Sequence, residues 1–427
     1  MLLVVIAFFV LLAMGMPVAF AIGISGALFF VQNPDLPFTI PVQVTVSQTQ
    51  NFALLAVPLF ILAGNFLNRS GLTRRLVDLA SVLTGRMRGG LAQISVTLSA
   101  LMGGVSGSAI ADAAMQARML GPEMIARGMS RGFASGVLSF SAILTPIVPP
   151  GIGMILYGTI GNVSIGRLFA AGIVPAILLW LALGLAVFVT ATARGYPPER
   201  ATRPTLQEAG IAFRAGIWAL LFPVFLLLGL RMGVFTPSEI GAFAVLYAIV
   251  VGVAIYRELR LRSFAEALET SLSDVGAVML LIALSAIFSY GIVLEQIPAT
   301  VSAMVVDVAG DLETAMVLIV LCVVAIGLFV DATVLIIILT PILLPTIRAL
   351  GGDPVHFGIV FIVAATIGNF TPPVGAAMYA VCTIMKCSIS AYTRESIGLL
   401  AAVAAVALAL VFLPEAVLFL PNLLFDR

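Results

Sequence analysis

Gly103-Gly104-Val105-Ser106-Gly107-Ser108-Ala109-Ile110-Ala111-Asp112 interrupts a long apolar run with small and polar residues and a single carboxylate. A second interruption, Gly327-Leu328-Phe329-Val330-Asp331-Ala332-Thr333, has the same character. Asp112 and Asp331 stand 219 positions apart, and so do Pro122 and Pro341, which close the two runs. The pairs Pro149-Pro150 and Pro372-Pro373 are 223 apart, and Pro17 and Pro237 are 220 apart. Landmarks at nearly one offset describe a duplicated chain.

Composition identifies the solvent. The 427 residues are 61% hydrophobic and only 10% charged, with a mean hydropathy of +1.19, too few polar residues to cover a water-soluble surface. An integral membrane protein of many helices is expected. A net charge of +1, with no basic or aromatic-interleaved patch, excludes affinity for nucleic acid. Cys322, Cys382 and Cys387 sit in or beside apolar segments without zinc-ligand spacing and read as packing residues. The apolar stretch 1–14 lacks a basic leader and runs on through Gly15-Met16-Pro17, so it reads as a retained helix rather than a signal peptide.

Hydrophobic runs place helices at 2–14, 17–31, 52–68, 91–103, 109–120, 132–145, 152–163 and 168–192. In the second half they fall at 216–231, 237–256, 273–294, 315–327, 333–345, 356–368, 374–386 and 397–420. A segment of about 12 residues rises only ~18 Å, short of a hydrocarbon core of about 30 Å. The pairs 91–103/109–120 and 315–327/333–345 are therefore expected to be re-entrant hairpins with tips near the midplane. A helix broken by Pro-Pro follows each hairpin, over 132–163 and 356–386, because proline removes a donor and forces its predecessor extended. Nonhelical backbone at that depth needs protein, water or ligand to satisfy it. Tip and broken helix should thus face each other across a polar cavity.

Of the 21 basic residues, 16, between Arg69 and Arg394, fall on one side if each half crosses five times and carries one hairpin. Arg167, Arg231, Arg348 and Arg427 fall on the other side, and Arg118 on a hairpin arm. The richer side is cytoplasmic. An odd number of crossings inverts residues 216–427 relative to residues 1–193, with 194–215 as a cytoplasmic linker. The fold class expected is an all-α integral membrane protein, an inverted-repeat secondary transporter with two re-entrant hairpins and two Pro-broken helices. The Arg-rich stretch 69–88 reads as an arm in the membrane interface.

Each tip joins a helix C-terminus, with free carbonyls, to a helix N-terminus, with free N–H groups, so it can hold a cation beside an anion. In the first half Ser106, Ser108, Thr145 and nearby carbonyls are candidate sodium ligands, and Asp112 either ligates or holds the loop. In the second half the candidates are Asp331, Thr333, Asn369, Thr371 and carbonyls near Gly327 and Gly368. Substrate carboxylates would meet half-helix N-termini and hydroxyls. That assigns Ser106, Gly107, Ser108, Thr145, Pro149, Pro150, Thr333, Thr371, Pro372 and Pro373 to substrate. A Gly-Ser break alone is equally explained by close helix packing, and Ser or Thr often bonds back to its own helix. Repetition of the whole constellation favours the functional reading. His356 reads as a capping or interfacial residue rather than a proton carrier, and Arg118 as reaching the cytoplasmic interface.

The run 103–112, the Thr145-Pro146-Ile147-Val148-Pro149-Pro150 break, Asp353-Pro354-Val355-His356-Phe357-Gly358 and Phe370-Thr371-Pro372-Pro373-Val374-Gly375 carry a family resemblance. With Gly15-Met16-Pro17-Val18-Ala19-Phe20 and Phe235-Thr236-Pro237-Ser238-Glu239, the chain resembles, along its whole length, the large membrane subunit of tripartite ATP-independent periplasmic (TRAP) transporters. The type is DctM or SiaM. The resemblance implies an elevator-type carrier in the bacterial inner membrane with two partners. One is a small membrane subunit of DctQ or SiaQ type, the other a periplasmic substrate-binding protein of DctP or SiaP type. It implies sodium at tips and broken helices, matching Ser106, Ser108, Asp331 and Thr371, and an organic-acid cargo. No other cofactor and no enzymatic activity are expected, and no Walker A sequence is present to hold nucleotide phosphates. Three alternatives remain: a stand-alone sodium-coupled anion carrier, a channel, and an intramembrane aspartyl protease using Asp112 and Asp331.

Overall fold

In the computed structural model, residues 1–425 are described, and Arg427 lies outside them. The first half runs α1 (Leu2–Ala13), α2 (Val18–Gln32), α3 (Ile40–Thr49), α4 (Ala56–Arg69), α5 (Leu72–Thr84), α6 (Gly90–Ser106), α7 (Ala109–Met119), α8 (Gly121–Ala126), α9 (Arg131–Ser141), α10 (Ile152–Gly161) and α11 (Ile165–Ala193). The second runs α12 (Leu206–Arg231), α13 (Pro237–Val250), α14 (Leu261–Leu294), α15 (Ile297–Ala309), α16 (Leu312–Gly327), α17 (Ala332–Ala349), α18 (Pro354–Phe370), α19 (Ala376–Met385), α20 (Ile389–Phe412) and α21 (Pro414–Phe425). Among the described residues, seven helices are long and apolar enough to cross a membrane.

Local chemistry sets the boundaries. Thr205 with Glu208 and Thr236 with Glu239 form capping boxes that start α12 and α13. Asp353 accepts the N–H groups of Val355 (2.7 Å) and His356 (2.9 Å), with Pro354 in the first turn of α18. Both Pro-Pro bonds are cis and lie in the breaks between α9 and α10 and between α18 and α19. The interior is rich in small polar residues, with Ser95, Thr97, Ser99, Ser135 and Ser141 all buried. Leu181, Leu185, Leu246 and Leu321 are exposed, as expected where lipid is the solvent and helices pack through small side chains.

Several sequence boundaries need correction. Helices α3 and α15 were not anticipated, and α14 begins at Leu261, twelve residues before 273, because Arg262, Glu266 and Glu269 mask its start. A break before Pro414 divides the expected 397–420 segment between α20 and α21. The hairpin arms α6, α16 and α17 have 17, 16 and 18 residues, about 24–27 Å each, so shortness does not make them re-entrant. What marks the first hairpin is pairing across it: Ser99 bonds Asp112 and Ser95 bonds Gln116, so the chain doubles back. In the second, Leu335 packs where a Cβ on Gly327 would lie. Cys322 faces outward, exposed on α16, rather than packing inside.

The helices form two groups. In one, α2 packs on α14, and α4 on α13 and α14. In the other, α9 packs on α20, α16 on α18, α10 on α17, and α11 on α20 and α21. Contacts of α4 with α6 and α10, and of α14 with α17, join the groups. One close crossing in the second group sets Gly327 against Gly368: a Cβ on Gly368 would lie 2.6 Å from Gly327 Cα and 2.8 Å from the Val324 carbonyl oxygen. Backbone cannot yield as a side chain does. Gly368→Val should therefore lower stability by about 1–3 kcal/mol, read as a lower detergent-solubilised unfolding temperature. Gly398→Ala, with open space around it, should leave that temperature unchanged.

Candidate functional site

The two hairpin tips line one cavity of about 360 Å³. The first tip turns at Gly107, whose φ of +62° suits a residue without a Cβ. Ser108 caps α7, its Oγ accepting from the Ala111 N–H (3.4 Å). The second tip is capped by Asp331, whose Oδ1 accepts from Thr333 N–H (2.8 Å) while Oδ2 accepts from Asn369 Nδ2 (3.0 Å). Asn369 Oδ1 is buried without a hydrogen-bond partner, an oxygen left over for a donor or a cation. Ser106, Gly107, Ser108, Asp331, Thr333 and Asn369 all border the cavity, as do Pro146 and Thr366.

The other sequence candidates lie elsewhere. Asp112 is only 1% exposed and does not reach the cavity. Its Oδ2 accepts from Ser99 Oγ (2.7 Å), Gln116 Nε2 (2.9 Å) and Thr145 Oγ1 (2.9 Å), and its Oδ1 has no partner. Ser95 continues the network, donating to Gln116 Oε1 (2.7 Å) and lying 3.1 Å from Ser141 Oγ. Both hairpin arms and the following broken helix are thus stitched together behind the tip. Of the two roles open to Asp112, this geometry fits holding the loop. Thr145, fully buried in the same network, likewise does not face the cavity. Neither do Pro149, Pro150, Gly327, Gly368, Thr371, Pro372 and Pro373. Pro150 lies against the back of the first tip, in a small gap shared with Gly107. Thr371 Oγ1 bonds its own helix at the Ile367 carbonyl (2.7 Å).

The network also corrects the alignment of the halves. The helix-capping positions are Ser108 and Asp331, 223 apart like the Pro-Pro pairs. Asp331 corresponds to Ser108, and the position matching Asp112 is the buried Leu335. The two aspartates share no site, so no aspartyl dyad forms.

Sequence reading missed the opposite wall, made by Asn65, Asn68 and Asp274 on α4 and α14. A carboxylate inside an apolar helix is a usable signal, but starting that helix at 273 put Asp274 at its edge. Among the described residues, no Lys, Arg or His borders the cavity. His356 is buried on α18 with its Nε2 2.7 Å from the Leu410 carbonyl oxygen, a strut to α20 rather than an interfacial residue. Arg118 is exposed at the last turn of α7.

Two groups of membrane helices with paired re-entrant tips on one polar cavity define a multi-pass membrane transporter. Residues 5–416 match the family described as "Tripartite ATP-independent periplasmic transporter, DctM component". The chain is 32% identical over 407 residues to the 2,3-diketo-L-gulonate TRAP transporter large permease protein YiaN of Escherichia coli, covering 95% of each. It is 32% identical over 415 residues to the sialic acid TRAP transporter large permease protein SiaM of Vibrio cholerae, covering 97% of this chain and 96% of that one. Among solved structures, the YdaH transporter of Alcanivorax borkumensis aligns over 86% of both chains with a TM-score of 0.62 at 17% identity. This chain belongs to the DctM family: it is the large permease subunit of a TRAP uptake transporter.

Asp112→Ala would leave the buried donors of Ser99, Gln116 and Thr145 without their acceptor. At about 1–3 kcal/mol for an orphaned buried group, the variant should unfold at markedly lower temperature. Asp331→Asn, which keeps a capping oxygen, should unfold close to the parent temperature. Thermal unfolding of the purified variants checks both outcomes.

Proposed function

We propose that the chain carries an organic acid inward with sodium, as the membrane-spanning part of a three-component uptake system in the bacterial inner membrane. The observation that carries this reading is the charge inventory of the cavity: among the described residues, Asp274 and Asp331 line it, and no basic side chain does. An anion entering beside two carboxylates needs positive charge from elsewhere. Half-helix N-termini supply part of it, and co-bound cations supply the remainder. The tips offer such a cation hard oxygen ligands, from Ser106, Ser108, Asp331, Thr333 and Asn369 together with the carbonyls at the end of α6. The family description supports a tripartite assembly, so a small DctQ- or SiaQ-type subunit and a DctP- or SiaP-type binding protein are the expected partners.

In this reading the halves are inverted repeats, and the group bearing the tips moves as an elevator against α2, α4, α13 and α14. The cavity at the boundary of the two groups supports that division. Neutralisation of substrate by sodium lowers the cost of passing an apolar barrier. Each net positive charge moving inward gains about 2.3 kcal/mol per 100 mV of membrane potential. The Asp112 network keeps the first tip rigid during the motion. The carrier performs no bond chemistry.

Uptake of a labelled carboxylate panel into proteoliposomes holding this chain and its small partner tests the proposal, with and without the cognate binding protein and an inward sodium gradient. Uptake should require both. Uptake with sodium but without the binding protein would point to a stand-alone carrier, and non-saturating flux to a channel; sodium-independent uptake would sink the coupling. Ser106→Ala and Asp331→Ala should each raise the sodium concentration for half-maximal uptake roughly tenfold, about 1.4 kcal/mol for one lost ligand, with expression and subunit assembly intact.

A further inference from the structure

The cavity wall facing the tips has a chemistry of its own. Asn65 Nδ2 donates to Ser271 Oγ (3.0 Å) and to Asp274 Oδ2 (3.1 Å), holding the Asp274 carboxylate in place while that residue stays exposed to the cavity. Asn68 Oδ1 on this wall is buried without a partner, and so is Asn369 Oδ1 across the cavity, on a residue 1% exposed. The buried side-chain atoms left without a partner around the cavity, Asn68 Oδ1 and Asn369 Oδ1, are both acceptors. Among the described residues, no Lys, Arg or His borders it to receive a second anionic group. At about 360 Å³ the space is that of an ordinary small-ligand site, roughly 300–1,000 Å³, so a ligand whose carboxylate sits at the tips has its far end near this wall.

We propose that Asn65, Asn68 and Asp274 read the end of the substrate remote from its carboxylate, and that Asp274 makes the carrier selective for monocarboxylates bearing hydroxyl or ammonium groups over dicarboxylates. The inference rests on the cavity being the anion site. A hydroxyl or ammonium group supplies the donors these acceptors lack. A second carboxylate meets Asp274 in a partly closed site, where like charges repel far more strongly than in open water. Selectivity arises as much from what Asp274 rejects as from what it holds.

Ligand-dependent shifts in unfolding temperature of the chain, purified with its small membrane partner, provide the test. Gluconate and succinate are titrated in sodium chloride and in choline chloride. In sodium, gluconate should protect at concentrations about tenfold below succinate. Asp274→Asn, which keeps an oxygen for Asn65 but loses the charge, should bring the two ligands together mainly by strengthening succinate, and Asp274→Glu should restore the preference. A ratio unmoved by Asp274→Asn, with sodium-dependent protection by both acids intact, overturns this inference and leaves the anion site standing. Absence of sodium-dependent protection by any carboxylate overturns both.

Discussion

A backbone that leaves the helix inside an apolar bundle must find partners for the N–H and C=O groups it frees. Each unsatisfied group costs several kcal/mol where no water competes. The chain leaves the helix at four deep places, the two tips and the two Pro-Pro breaks, and the remaining architecture answers to them. Ser108 and Asp331 cap the half-helices that restart after the tips. Tyr392 donates to the Phe370 carbonyl where α18 ends (2.9 Å), and Tyr157 donates to the Pro354 carbonyl near its start (2.7 Å). At the two tips, groups that helices cannot satisfy open onto the cavity, so the site arises from breaks that also shape the fold.

Much of this was legible in the sequence, because prolines, glycines and intramembrane carboxylates stand out against an apolar background. The hairpins and the broken helices follow from them. Arm length was a poor guide, since helices of 16 to 18 residues still turn back. The alignment of the halves slipped by four residues because aspartate was matched with aspartate. The physical equivalence is between capping positions, and serine and aspartate cap equally well. Asp274 and its asparagines escaped notice because they lie on otherwise regular helices. Only the tertiary arrangement brings that wall opposite the tips.

Stability and function divide along the two faces of each tip. Behind the first tip, a carboxylate with three donors joins three chain segments through small polar side chains that a membrane interior favours for close packing. Behind the second, α16 and α18 meet backbone to backbone at Gly327 and Gly368. In front, both tips present uncommitted oxygens to a space that holds no cationic side chain among the described residues.

Leu335 in the place of Asp112 has a consequence for local opening. Two hairpins with the same cross-links would cost the same to open. Here the arms of the first hairpin are cross-linked by side-chain hydrogen bonds, whereas the second is tied at its tip to α18 through Asp331 and Asn369. Among the described residues, parting the arms of the first hairpin breaks side-chain hydrogen bonds between them, and parting those of the second breaks none. The two tips therefore differ in what local opening costs.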